Sequence, residues 1–229
     1  LIKLIKQSKF WDESKAYLKH DGSLNYGLEL VMHPTDIKSF DFGKYRQLLA
    51  ALLERGARSY ESGSCGLHVH IGRSSLGRDH ETKLCRMMYR FRTYLHQISK
   101  RGDRHFRYCN FLNTPSTDRW REDRYKALNL INNRTVEFRF FRGTLNGDSA
   151  VNSIKFCEEL AHWTCKQSLS HLCKSAANSE LWKEFLVTLS PHLRAWVSSR
   201  CAVSRNLLEE DNKYNQRLLD NDRREQICA

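Results

Sequence analysis

Thr135-Val136-Glu137-Phe138-Arg139-Phe140-Phe141-Arg142-Gly143-Thr144 opens with strict alternation of apolar and charged side chains. Successive side chains of a strand point to opposite faces. Residues 134–142 are therefore predicted to form a strand with Val136, Phe138 and Phe140 on one face and Glu137 and Arg139 on the other. Upstream, 125–131 (YKALNLI) reads as its hairpin partner, joined through Asn132-Asn133, a dipeptide suited to a tight turn. Residues 66–72 (GLHVHIG) show the same split: Leu67, Val69 and Ile71 oppose His68 and His70. Residues 24–33 (LNYGLELVMH) repeat it, with Glu29 opposite Leu28 and Leu30, and end at Pro34.

Helical spacing separates these strands. Residues 44–55 carry Leu48, Leu49, Leu52 and Leu53 and close at Gly56. Residues 79–101 carry Leu84, Met87, Met88, Phe91, Leu95 and Ile98 as one apolar stripe. Helices are predicted again over 149–168, 179–188 and 190–200. The expected fold is α+β, a curved antiparallel or mixed sheet with helices packed on one face and a helical C-terminal third. The expected organisation is one domain over 1–200 and a charged helical tail over 201–229.

Composition narrows the classes. The chain has 229 residues, 40% of them hydrophobic, which is enough for a real core. It contains no run of ~18 apolar residues, so no membrane-spanning helix is expected. The opening Leu1-Ile2-Lys3-Leu4-Ile5-Lys6 lacks the apolar stretch of a secretory signal. The eight cysteines form no C-x-x-C pair, and most sit inside apolar helical patterns, so reduced buried thiols and a cytoplasmic setting are expected. The formal net charge of +12 favours anionic partners.

The polar faces carry the chemistry. A solvated sheet face mixes Thr, Lys, Ser and Gln; here it concentrates Glu29, Glu137, His68, His70 and Arg139. Carboxylate and imidazole ligands with open positions suit Mg²⁺ or Mn²⁺ when phosphate oxygens complete the shell. An arginine two residues from such a carboxylate holds phosphoryl oxygens through its planar fork. Each element has a plainer reading. His68 and His70 alone are structural, or two ligands of a zinc site that lacks its third. Glu137 and Arg139 alone are an ion pair on the surface.

The ordered motifs DGSL at 21–24, GLELV at 27–31, CGLHVHI at 65–71, YKALNL at 125–130 and TVEFRFFRGT at 135–144 resemble the putative amidoligase family. That family belongs to the glutamine synthetase-like carboxylate–amine ligases, alongside γ-glutamylcysteine synthetases. The resemblance spans roughly 18–165. It implies a glutamine synthetase-like sheet whose open face holds ATP, divalent metal (Mg²⁺ or Mn²⁺) and the acid substrate. It assigns metal contacts to Glu29, His68, His70 and Glu137, and phosphate or acyl-phosphate clamping to Arg139 and Arg142. Asp21, Ser23, Lys126 and Asn129 are implied contacts to substrate or ATP; for Asn129 a structural hydrogen bond is the competing role. Such ligases open with a strand bearing paired carboxylates in a G-x-E-x-E-like pattern. The chain begins at Leu1 without one, so a missing upstream segment, or loss of part of the metal site, is expected.

The expected activity is therefore ATP-dependent amide formation between a carboxylate and an amine: free amino acids, a peptide or a protein side chain. The alternatives are a catalytically inactive ligase fold and a basic nucleic-acid-binding module. The latter draws on aromatics among arginines at Tyr89-Arg90-Phe91-Arg92 and Arg104-His105-Phe106-Arg107-Tyr108.

Overall fold

A computed structural model of the chain describes residues 16–22, 27–62, 64–101, 108–173 and 177–202. Among the described residues the strands are β1 (Ala16–His20), β2 (Leu28–Met32), β3 (Gly66–Gly72), β4 (Leu128–Asn129) and β5 (Thr135–Arg142). Among the described residues seven α-helices accompany them: α1 (Phe42–Glu54), α2 (His80–Ser99), α3 (Thr117–Arg121), α4 (Gly147–Lys166), α5 (Leu169–Cys173), α6 (Asn178–Thr188) and α7 (Pro191–Arg200). The class is α+β.

The strands form two small antiparallel sheets rather than the single curved sheet expected. One is the β1–β2 hairpin, in register from Ala16↔Met32 to His20↔Leu28. The other has the order β3-β5-β4. A hairpin satisfies its ladder with a near sequence neighbour at small loop-closure cost, and this local pairing occupies β2. The expected strand over 125–131 narrows to Leu128–Asn129, because Asn129 turns its side-chain oxygen onto the Ile131 amide and ends the pairing. Before it, Tyr125 and Ala127 bond to Asn110 in an isolated parallel bridge. The Asn132 turn is as expected: Oδ1 accepts from the amides of Arg134 (2.8 Å) and Thr135 (3.3 Å). Arg73 pins it by donating to the carbonyls of Asn132 and Leu130. The tail beyond Ala202 lies outside the described residues.

Local chemistry explains the helix boundaries. Asp41 and Asn146 accept from the amides of Lys44 and Ser149 and so cap α1 and α4. Ser190 caps α7, with Pro191 in the first turn, where its missing N–H costs nothing. Gly56 closes α1 at φ 82°, a conformation open to glycine.

The main core lies between the apolar face of β3 and β5 and the helices. Val69, Ile71, Val136 and Phe138 meet the α2 stripe of Leu84, Met87, Met88, Phe91, Leu95 and Ile98. Phe91, Phe156, Trp182 and Phe185 form an aromatic cluster, with Tyr94 stacked on Trp182 at 4.8 Å. Each such pair adds about 0.5–1.5 kcal/mol beyond its buried area. A smaller core of Leu48, Leu49, Leu52 and Ala150 receives Leu18 and Leu30, which fastens the hairpin to α1 and α4. All seven described cysteines are free thiols.

Candidate active site

Residues directly opposite across paired strands share a face. The register sets His70 of β3 opposite Glu137 of β5, and Asn129 of β4 opposite Glu137 on its other side. One row therefore crosses all three strands with the carboxylate at its centre. A register shift then falls between Leu67 and Val69 of β3: Phe138 pairs with Val69 and Phe141 with Leu67. Arg139 and Phe140 thus stand opposite His68 alone, a bulge of two residues against one. The bulge brings Arg139 beside His68. It also returns Arg142 to the face of His68, as partner of Gly66, where strict alternation would have left it on the face of Phe138.

Glu137 is only 5% exposed. Its Oε1 accepts from Arg139 Nη1 (2.6 Å) and lies 3.1 Å from His68 Nδ1; its Oε2 accepts from Asn129 Nδ2 (2.6 Å). His70 Nε2 stands farther off at 3.7 Å, and its Nδ1 is 3.1 Å from Thr135 Oγ1. Burial alone would raise the Glu137 carboxyl. The hydrogen bond and charge of His68, with Arg139 and His70, overcome it and hold the carboxyl down at about 2. Burial lowers the His70 imidazole below its ordinary value; Glu137 opposes that, while His68 and Arg139 add to it.

A depressed carboxyl stabilises the fold above its unfolded-state value, and the contribution is lost as pH falls through the folded-state value. From about pH 4.5 to about pH 2 the protein is therefore expected to lose on the order of 3 kcal/mol through Glu137. Urea midpoints across that range should fall more steeply for the native chain than for Glu137→Gln; parallel curves would contradict it.

Arg139 has donor capacity left. Its Nε is buried and has no hydrogen-bond partner among the described residues. With Nη1 fixed on Glu137, the rest of the guanidinium fork is held in place beside the two imidazoles. Arg101, just past α2, was not foreseen as part of this region. Its Nε donates to the Phe141 carbonyl (3.0 Å), and a Cβ on Gly66 would collide with its Nη2 and lie 2.9 Å from His68 Nε2. A side chain at position 66 would thus push Arg101 and His68 apart. Only folding reveals this, because residues 66 and 101 share no local pattern.

The other expected residues distribute unevenly. Arg142 sits on the same strand but is engaged by Tyr60: its Nε donates to that carbonyl (2.6 Å) and its guanidinium lies 3.9 Å over the ring. Glu29 stands on β2, in the other sheet, 3.8 Å from Lys19 Nζ, and its charge still bears on His70. Lys126 is buried, with Nζ 2.8 Å from Asp123 Oδ2 and 4.0 Å from Glu122 Oε2. Asp21 follows β1, and its charge bears on Arg124. Ser23 lies outside the described residues.

Among the described residues, no three His, Cys, Asp or Glu side chains are gathered as a metal cage. The reason is visible at Glu137, whose two oxygens are taken by Arg139, His68 and Asn129, while Glu29 is held in a separate hairpin. Glu29, His68, His70 and Glu137 are thus divided between the two sheets, the last three on β3 and β5 and Glu29 on β2.

A three-stranded sheet packed on helices, with a buried carboxylate, two imidazoles and a partly unsatisfied guanidinium on its other face, defines an α+β protein with an enzyme-like polar site. A model of the family described as putative amidoligase enzyme matches residues 7–127, just over half of the chain, and the chain belongs to that family. The match includes His68, His70 and Lys126 and stops short of Asn129, Glu137 and Arg139. No curated protein and no solved structure matches the chain.

Proposed function

We propose that this protein is an ATP-dependent carboxylate–amine ligase. The observation that carries the reading is the guanidinium of Arg139, fixed on Glu137 with its Nε buried and unsatisfied, in a member of the amidoligase family. A buried donor without a partner costs about 1–3 kcal/mol, which an oxyanion on the guanidinium would recover.

In the proposed reaction a substrate carboxylate oxygen attacks the γ-phosphorus of ATP and ADP leaves. The amine then attacks the acyl-phosphate carbon, phosphate leaves, and the amine gives up a proton. Arg139 would hold the transferring phosphoryl oxygens, and such transfer depends chiefly on positioning and charge. Glu137 would fix Arg139, with Asn129 holding the carboxylate from the other side. His70, kept neutral by burial, offers a base near the site for the amine proton. Arg142 would present a second guanidinium beyond the bulge, and Asp21, Ser23 and Lys126 would contact substrate or nucleotide. Mg²⁺ or Mn²⁺ is proposed to accompany the nucleotide on its phosphate oxygens; of the two expected carboxylates Glu29 would reach it more readily, since both Glu137 oxygens already accept hydrogen bonds.

Nucleic-acid binding has lost part of its support. In Tyr89-Arg90-Phe91-Arg92, Phe91 is fully buried, and Arg90 donates inward to Asn178 and the Leu172 carbonyl. Phe91 and Arg90 therefore offer no stacking face, while Arg92 lies 5.0 Å over the half-buried Tyr89 ring. The ligase reading is tested by incubating the protein with Mg²⁺–ATP and mixed pools of acids and of amines. Repeated turnover to ADP should require both pools, while the acids alone should allow only the first step. No ADP from any pool, with the protein folded, would point to an inactive ligase fold, and salt-sensitive retention on RNA without hydrolysis to the binding module.

A further inference from the structure

A cavity of about 490 Å³ opens at the end of β5, and no member of the Glu137 cluster lines it. Three cations do: Lys100 after α2, Arg142 at the end of β5, and Arg200 at the end of α7. Their partners are neutral. Lys100 Nζ donates to the Arg200 carbonyl (2.9 Å). Arg142 is engaged by the carbonyl and ring of Tyr60. Arg200 donates to the Ile98 carbonyl (3.3 Å) and Ser149 Oγ (3.0 Å), and lies 4.6 Å over Trp196. Among the described residues none of the three forms an ion pair with a carboxylate.

The amino end of α4 faces the same space through Asn146 and Ser149, and its helix is 20 residues long. That end carries partial positive charge. Asp148, in the same turn, is drawn off by Arg46 at 2.7 Å. Glu61 is the one acid among the described lining residues. Like charges gathered around a partly desolvated space repel, and an anion entering it would relieve the repulsion. Leu53, Leu145 and Phe141 provide an apolar wall, and the volume lies within the ~300–1,000 Å³ of small-molecule sites.

We infer that this cavity binds a small anionic ligand of amino-acid size, a carboxylate or a phosphate, held by Lys100, Arg142 and Arg200. The inference stands beside the ligase reading and does not rest on it.

Calorimetric titration with glutarate, inorganic phosphate and the neutral isostere glutaramide tests it. At least one anion should bind and glutaramide should not. Lys100→Gln, at an exposed position, should weaken that binding about 10-fold, as loss of one charge contact removes about 1.4 kcal/mol. Arg200→Lys, which keeps the charge, should retain most of it. Lys44→Gln, an equal loss of charge elsewhere, should leave it unchanged. Binding of phosphate alone or glutarate alone would assign the anion class. Absence of binding by both anions at about 10 mM, or equal weakening by Lys100→Gln and Lys44→Gln, would overturn the site.

Discussion

Replacing Arg139 with lysine is expected to lower turnover about 10²-fold while nucleotide affinity changes little. Lysine keeps the charge but presents it as a compact ammonium, whereas arginine offers a planar fork. Arg139 uses one donor, Nη1, to reach Glu137 Oε1 at 2.6 Å, and its Nε is left buried beside the site. A lysine that reaches Glu137 has no rigid second arm for a phosphoryl oxygen. The loss should therefore fall on the chemical step, where charge moves, more than on ground-state binding. Single-turnover acyl-phosphate or ADP formation, measured beside ADP affinity, separates the two. Unchanged turnover would leave Arg139 as a structural partner of Glu137 and remove the main support of the ligase reading.

Glu137→Gln is expected to cost about 3–5 kcal/mol of stability, the range for breaking a buried ion pair by removing one partner. The carboxylate is 5% exposed and the Arg139 side chain 14%. Neutralising Glu137 leaves that guanidinium and His68 without their anion. A glutamine amide would also turn its NH₂ toward either Arg139 or Asn129 Nδ2, both donors. The comparison is Glu122→Gln, whose exposed pairing with Arg119 at 2.5 Å should be worth ~0–1 kcal/mol. Urea unfolding of both variants measures the difference. A loss no larger at Glu137 than at Glu122 would mean that the cluster does not hold the three strands together.

Much of the scaffold was legible in the residues. The apolar spacing of Leu84 to Ile98 specified a helix whose observed limits are His80–Ser99, and 66–72 was bounded by its glycines as it is in the structure. The alternation at 135–139 separated Val136 and Phe138 from Glu137 and Arg139, and the former are buried in the core. β1 was not recognised, nor were the short helices α3 and α5. Five residues give too few periods to distinguish a pattern from chance.

The sequence by itself determined which side chains share a face where a strand runs without a bulge, and roughly where the longer helices lie. Those properties depend on backbone geometry and hydrogen bonds over a few neighbouring residues. Tertiary structure alone decided that Glu29 stands in a separate hairpin, that a bulge returns Arg142 to the face of His68, and that Arg101 fills the space over Gly66. It also decided that Arg142 turns to Tyr60 and shares a cavity with Lys100 and Arg200. Strand register and the pairing of a guanidinium with a particular carboxylate depend on which distant surfaces are buried together. In that drier interior a charge is costly unless matched, so the match is set by packing across the whole domain and not by the order of residues along one strand.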